Sequence, residues 1–196
     1  MMWHVPLLRY LPSFDSVPAN ITAENLRYYK INNLVQTFGW MVHLTWVFLF
    51  LLIGNQFMTV INVFSVLIYI MNIWLNRRGH HFISSSIMVL EILLHQLIAV
   101  PMFGWEAGFQ YYVLIISLLP FLMPPGQWWL KGLVLVSCIC GFIFLDYQYH
   151  NVVPKFTLTI PWRYYFNITN ILFSFISMCV SGGYFVIAIS ETEEKL

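Results

Sequence analysis

Apolar residues run along this chain in blocks of bilayer length, separated by short polar links. Windows of ~20 apolar residues, the length that spans a hydrocarbon core, fall at Leu34–Ile53, Phe57–Leu75, Phe82–Phe103, Gly108–Pro124, Trp128–Tyr147 and Asn167–Ser190. The pattern predicts an all-α polytopic membrane protein with six transmembrane helices. The links Gly54–Gln56, Asn76–His81, Gly104–Ala107 and Pro124–Gln127 are short, so neighbouring helices must run antiparallel. The link Gln148–Phe166 is longer and strongly aromatic. Within it Phe156–Ile160 alternates like a short strand, which predicts a lid over one face.

Two of the blocks carry polar stripes at helical spacing. In the second these are Asn62, Ser65, Tyr69, Asn72 and Asn76, and in the sixth Asn167, Asn170, Ser174, Ser177 and Ser181. Lipid tails cannot hydrogen-bond, so both faces must turn towards other helices or water. Close helix packing glued by Asn and Ser is the preferred reading and the lining of a cavity is the other. No internal repeat is visible, which weakens the case for an inverted-repeat transporter.

The distribution of Lys and Arg sets an expected orientation. With both termini cytoplasmic, the inner side receives Arg9, Arg27, Lys30, Arg77, Arg78, Lys131 and Lys195, and the outer side only Lys155 and Arg163. Residues 1–33 then form a cytoplasmic or interfacial segment, 34–190 the six-helix domain, and 191–196 the start of a cytoplasmic signalling helix. Thr22–Lys30 reads as a capped helix on the inner interface, with Tyr28 and Tyr29 at headgroup depth. Pro6, Pro12 and Pro18 interrupt the N-terminal segment, so it is not expected to be a cleaved signal peptide.

Composition narrows the function classes. Of the 196 residues 60% are hydrophobic and 9% charged, against roughly a quarter charged in globular domains. A net charge of +1 and no long basic run argue against nucleic acid as a partner. Cys138, Cys140 and Cys179 all lie inside apolar blocks and are expected to pack there rather than form disulfides.

Glu91 is the carboxylate placed well inside a span, where an ionised group costs several kcal/mol unless hydrated or paired. His95 follows four residues later on the same helix face, and His43 falls at comparable depth on the first helix. Three readings stay open for this cluster: an interhelical Glu–His bond that fixes register, a ligand-sensing pocket, and a metal or haem site. Glu-x-x-x-His supplies two ligands from one helix, but no second metal motif accompanies it, so no metal or cofactor is expected. Nearer the outer surface, Trp105, Glu106, Gln110, Tyr111 and Tyr112 join Asp146, Tyr149 and His150. Together they predict an aromatic, acidic bowl that opens outwards above Glu91 and suits a small hydrophobic or cationic ligand. His80 and His81 fall on the opposite side as interfacial histidines. Catalytic motifs are lacking: there is no GxSxG, HExxH or phosphate-cradling glycine loop. The last helix runs into Glu191–Leu196 without a Gly or Pro stop, as a helix leading into a further element does.

Leu75-Asn-Arg-Arg-Gly-His80, Glu91-x-x-x-His95, Gly104-Trp-Glu-Ala-Gly-Phe-Gln-Tyr-Tyr112 and the exit helix ending Glu-Glu-Lys-Leu196 resemble the six-helix N-terminal membrane sensor domains (MASE-type) of bacterial nucleotide cyclases. Those cyclases carry class III adenylate or guanylate, or GGDEF diguanylate, catalytic domains. The resemblance covers about Asn25 to Leu196. It implies a regulatory domain in the bacterial inner membrane that signals through its sixth helix, by way of Ser181, Gly182, Gly183, Glu191 and Glu194, to a homodimer. It also implies that this chain is not itself an enzyme, since no catalytic domain is present. A small proton-coupled transporter that uses Glu91 is the alternative.

Overall fold

In the computed structural model the described residues are 17–118 and 128–193, the side chains of Ala23 and 184–193 excepted. They form six α-helices: α1 Ala23–Leu52, α2 Gln56–Arg77, α3 His81–Phe103, α4 Tyr111–Ile116, α5 Trp128–Tyr149 and α6 Ile160–Glu193. A 3-10 turn at Trp105–Ala107 precedes α4. Five of these helices (all but α4) are long and apolar enough to cross a bilayer, so the chain has the character of a multi-pass membrane protein. The expected fourth span, Gly108–Pro124, is described only through Leu118 and is helical there over the six-residue α4; the 3-10 turn falls in the expected link before it, and the remainder of the span, with the link Pro124–Gln127, lies outside the described residues.

Helix α2 is apolar outside and polar inside. Asn62, Ser65, Tyr69, Asn72 and Asn76 are all buried, while Phe57, Val60, Phe64, Leu67, Met71 and Trp74 are exposed on the opposite side. Hydrocarbon solvates the second set without penalty, whereas the first set can be satisfied only by other helices. The second-block stripe is therefore mainly a packing face, with Tyr69 also lining a cavity. Its near partner is α1, to which it is joined by a turn at Gly54 (φ 75°). Gly39 of α1 lets the Tyr69 ring lie directly on the α1 backbone: a Cβ at that position would fall 2.2 Å from Tyr69 Cε1.

Several expectations are corrected. The Thr22–Lys30 segment is not a separate interfacial helix but the beginning of α1, and Thr22 makes no side-chain cap bond. Tyr28 and Tyr29 are buried against the rest of the bundle. His81 is buried too, with Nδ1 2.7 Å from Asn76 Oδ1 and its ring edge-on to Tyr29. Phe156–Thr159 is irregular rather than a strand, since the described residues include no strand with which it could pair. Its neighbourhood instead caps α3: Lys155 N–H donates to Pro101 O at 3.1 Å and Phe156 N–H to Met102 O at 2.8 Å, satisfying carbonyls that the helix end leaves free. The last helix starts at Ile160, seven residues before the predicted span, because Pro161 sits in its first turn, where a missing N–H costs nothing. Cys138 is buried as expected, but Cys140 and Cys179 are exposed.

Candidate functional site

The inward face of α1 is built from Asn32, Gln36, Gly39, His43, Trp46 and Phe50, spaced three or four residues apart. Along it lie three layers of different chemistry.

At the Asn76 end is a buried amide network. Asn32 Nδ2 donates to Asn76 Oδ1 at 3.0 Å and to Ser84 Oγ at 3.1 Å. Gln36 Nε2 donates to Asn32 Oδ1 at 3.2 Å, Asn76 Nδ2 to Tyr29 O at 2.9 Å, and Ser84 Oγ to Asn72 O at 2.9 Å. This network pins α1, α2 and α3 together, and its α1 members were missed in the sequence. The signal was the i, i+4 pair Asn32 and Gln36 astride the start of the apolar block.

The middle layer holds His43, Glu91 and His95, all buried, with one ligand-type atom of each within 4.8 Å of the others. Ser65 Oγ donates to Glu91 Oε1 at 2.5 Å. His43 Nε2 stands 3.6 Å from Glu91 Oε2, and His95 Nδ1 3.8 Å from Glu91 Oε1. The rings of His43 and His95 meet edge-to-face at 5.0 Å, and Tyr69 lies 5.1 Å from His43. The three residues that depth alone predicted to meet are thus brought together.

Beside this layer is a cavity of about 70 Å³ whose lining includes His43, Tyr69, His95, Tyr112, Ser177 and Ser181. The rest of its wall is mainly apolar, from Val35 and Phe38 to Ile115 and Val180. It is roomy enough for ordered water or a slender ligand group. The sixth-block stripe consequently divides between the two readings. Ser177 and Ser181 line the cavity, whereas Asn167 and Asn170 are packing groups. Asn167 Nδ2 donates to Glu106 O and Asn170 Nδ2 to Ala107 O, both at 2.8 Å, and Gln110 Nε2 donates to Trp105 O at 3.1 Å. Three consecutive carbonyls of the 3-10 turn are each held by a side-chain amide. Gly108, at φ 84°, permits the close approach of α6: a Cβ there would lie 3.4 Å from both Asn167 and Asn170.

The third layer corrects the predicted bowl. Beyond His43 and His95, Trp46, Phe50, Phe103, Phe109 and Phe166 pack into one aromatic core. Phe50 and Phe103 stack at 5.1 Å with an interplanar angle of 4°, and Trp46 meets Phe109 at 4.9 Å and Phe166 at 4.8 Å. Large rings fill this space because their area, not an opening, is what the helices share. The expected mouth residues are therefore separated from the Glu91 floor. Glu106 is exposed and pairs with Arg163 at 2.5 Å. Asp146 and His150 form their own exposed pair at 2.8 Å, with Trp105 packed on the His150 ring at 5.2 Å. Gln110 is buried, Tyr111 is half-buried, and only Tyr112 reaches the cavity, with its hydroxyl 3.4 Å from Trp46 Nε1. Of the expected output residues, Ser181 is buried and Gly182 and Gly183 are exposed. Glu191 lies within α6, and Glu194 lies outside the described residues.

Comparison of the chain with protein-family models, with curated proteins and with solved structures finds no match.

Proposed function

We propose that this chain is a membrane sensor domain that takes a small, mainly apolar ligand with a polar end into the cavity beside Glu91, His43 and His95. The observation that carries the reading is the composition of that cavity. It joins the ionisable layer of α1 and α3 to Ser177 and Ser181 of α6, so that an occupant touches both the recognition groups and the output helix. A ligand that fits one placement of α6 better than another shifts the equilibrium between them. The resemblance to cyclase sensor domains supports a cyclase partner domain, a homodimer through the exit helix and residence in the bacterial inner membrane. The aromatic layer supports a sensor over a proton-coupled transporter, which needs a path past Phe50 and Phe103.

The test joins the chain, through its C terminus, to a reporter adenylate cyclase domain in cells devoid of cyclase. Cyclic nucleotide output is then compared for the wild type, Glu91→Gln and the cavity-filling Ser181→Leu. Both variants are expected to change basal output at least several-fold at equal membrane abundance. Wild-type output from both would refute the sensor reading, and pH-driven solute flux lost in Glu91→Gln would favour the transporter.

A further inference from the structure

The middle layer has an electrostatic peculiarity. Asn62 Nδ2 donates to Met58 O at 2.8 Å, which leaves Asn62 Oδ1 to face His43 Nδ1 at 2.9 Å. An amide oxygen only accepts, so the proton of His43 sits on Nδ1. The lone pair of a neutral His43 is then on Nε2, the atom that faces Glu91 Oε2. Two acceptors pointing at each other repel unless a positive charge stands between them. His95 Nδ1 faces the same carboxylate, and neither it nor Glu91 Oε2 has a hydrogen-bond partner among the described residues.

The spacing speaks to the nature of that charge. A charge-assisted hydrogen bond closes to about 2.7–2.9 Å, but the gaps here are 3.6 and 3.8 Å. Ligand atoms around a tetrahedral ion with bonds of about 2.0–2.2 Å stand roughly 3.3–3.6 Å apart; the His43–Glu91 gap meets this spacing, and the set as a whole, within 4.8 Å, would close in by up to about an ångström on an ion. The surroundings also match those of metal ligands, whose imidazoles donate their second N–H to an oxygen and whose carboxylates accept an outer hydrogen bond. Asn62 plays the first part and Ser65 the second.

We infer that His43, Glu91 and His95 bind one divalent first-row transition-metal ion, with a fourth position open to the cavity. Two imidazoles and one carboxylate suit zinc or iron(II) and give calcium and magnesium too few oxygens. This inference stands on the geometry of the cluster whether or not the chain is a sensor.

The experiment uses the full chain, without a histidine tag, purified in lipid nanodiscs from zinc-supplemented cells and washed free of loose metal. Zinc per chain is counted by mass spectrometry. The apoprotein is then reloaded with cobalt(II), and its visible absorption reports tetrahedral coordination. Wild-type protein is expected to retain about one zinc per chain and to give the intense cobalt spectrum. Glu91→Gln, which keeps the shape of the side chain, and His95→Ala are expected to lower zinc affinity at least tenfold. Asn62→Leu, which touches no ligand atom, is expected to weaken it about 10- to 100-fold. A wild-type protein that washes free of zinc and gives only the pale spectrum of hydrated cobalt overturns the inference and leaves a proton between the two groups. Equal zinc in the wild type, Glu91→Gln and His95→Ala assigns the metal to surface histidines and overturns it as well. The wild-type count and spectrum decide even where a variant fails to fold.

Discussion

Substituting Gly39 by Ala tests the close contact between α1 and α2. The added Cβ would fall 2.2 Å from Tyr69 Cε1 and 2.7 Å from Tyr69 Cζ, where carbon atoms prefer about 3.5–4.0 Å. The Tyr69 ring is buried, so it or α1 must retreat by more than an ångström. Overpacking of this kind costs about 1–3 kcal/mol. Against it stands the helix-propensity gain of Gly→Ala, about 0.8–1.0 kcal/mol. Gly132 of α5 provides the control, because its Cβ would meet nothing within 4 Å and its substitution gives the gain alone. Gly39→Ala should therefore lie about 1–3 kcal/mol below Gly132→Ala in stability, roughly 2–12 °C in Tm for a domain of this size. Thermal unfolding in one detergent or nanodisc preparation measures both. In a Tyr69→Ala background the Gly39 penalty should vanish, since the cycle isolates the clash. Equal effects at Gly39 and Gly132, or a Gly39 penalty that survives Tyr69→Ala, would refute the assigned contact.

Replacing Asn76 by Leu removes its bonds with Asn32, His81 and Tyr29 O. At the roughly 0.6–1.7 kcal/mol measured per interhelical bond in membranes, denaturation should detect a loss of about 2–5 kcal/mol. Phe50→Ala opens the aromatic core and should cost about 3–5 kcal/mol, whereas Phe48→Ala, at an exposed position on the same helix, should cost under about 1 kcal/mol. Comparable losses at both would show that the ring cluster is not the tight core described. Arg163→Ala breaks an exposed pair with Glu106, with side chains 43% and 69% accessible, and should change Tm by less than the equivalent of about 1 kcal/mol.

The inside-out polarity of α2 was legible because Asn, Ser and Tyr recur at three and four residues through an otherwise apolar block, and hydrocarbon forces such a stripe inwards. The meeting of His43 with Glu91 and His95 followed from depth along antiparallel helices. The outward bowl did not survive, because in one dimension Trp46, Phe50, Phe103 and Phe109 look the same whether they line an opening or fill it. Alternation at Phe156–Ile160 misled because a strand needs a partner edge, and the local backbone was recruited to cap α3 instead. Pro161 was read as belonging to a link, whereas in the first turn it begins a helix. The α1 amides went unnoticed because Asn32 precedes and Gln36 opens the apolar window, and only their partners on α2 and α3 give them a role.

The amides that grip the 3-10 turn make the two ends of α6 mechanically unequal. Asn167 and Asn170 fix the helix near its start, while it runs on for about 35 Å from Asn170 to Glu193 at 1.5 Å per residue. The turn is thus a fulcrum and the rest of α6 a lever arm, with Ser177 and Ser181 near its shorter end. A tilt of about 5° around the clamp would carry the far end by roughly 3 Å, so that a displacement of about an ångström at the cavity is amplified two- to threefold at Glu193.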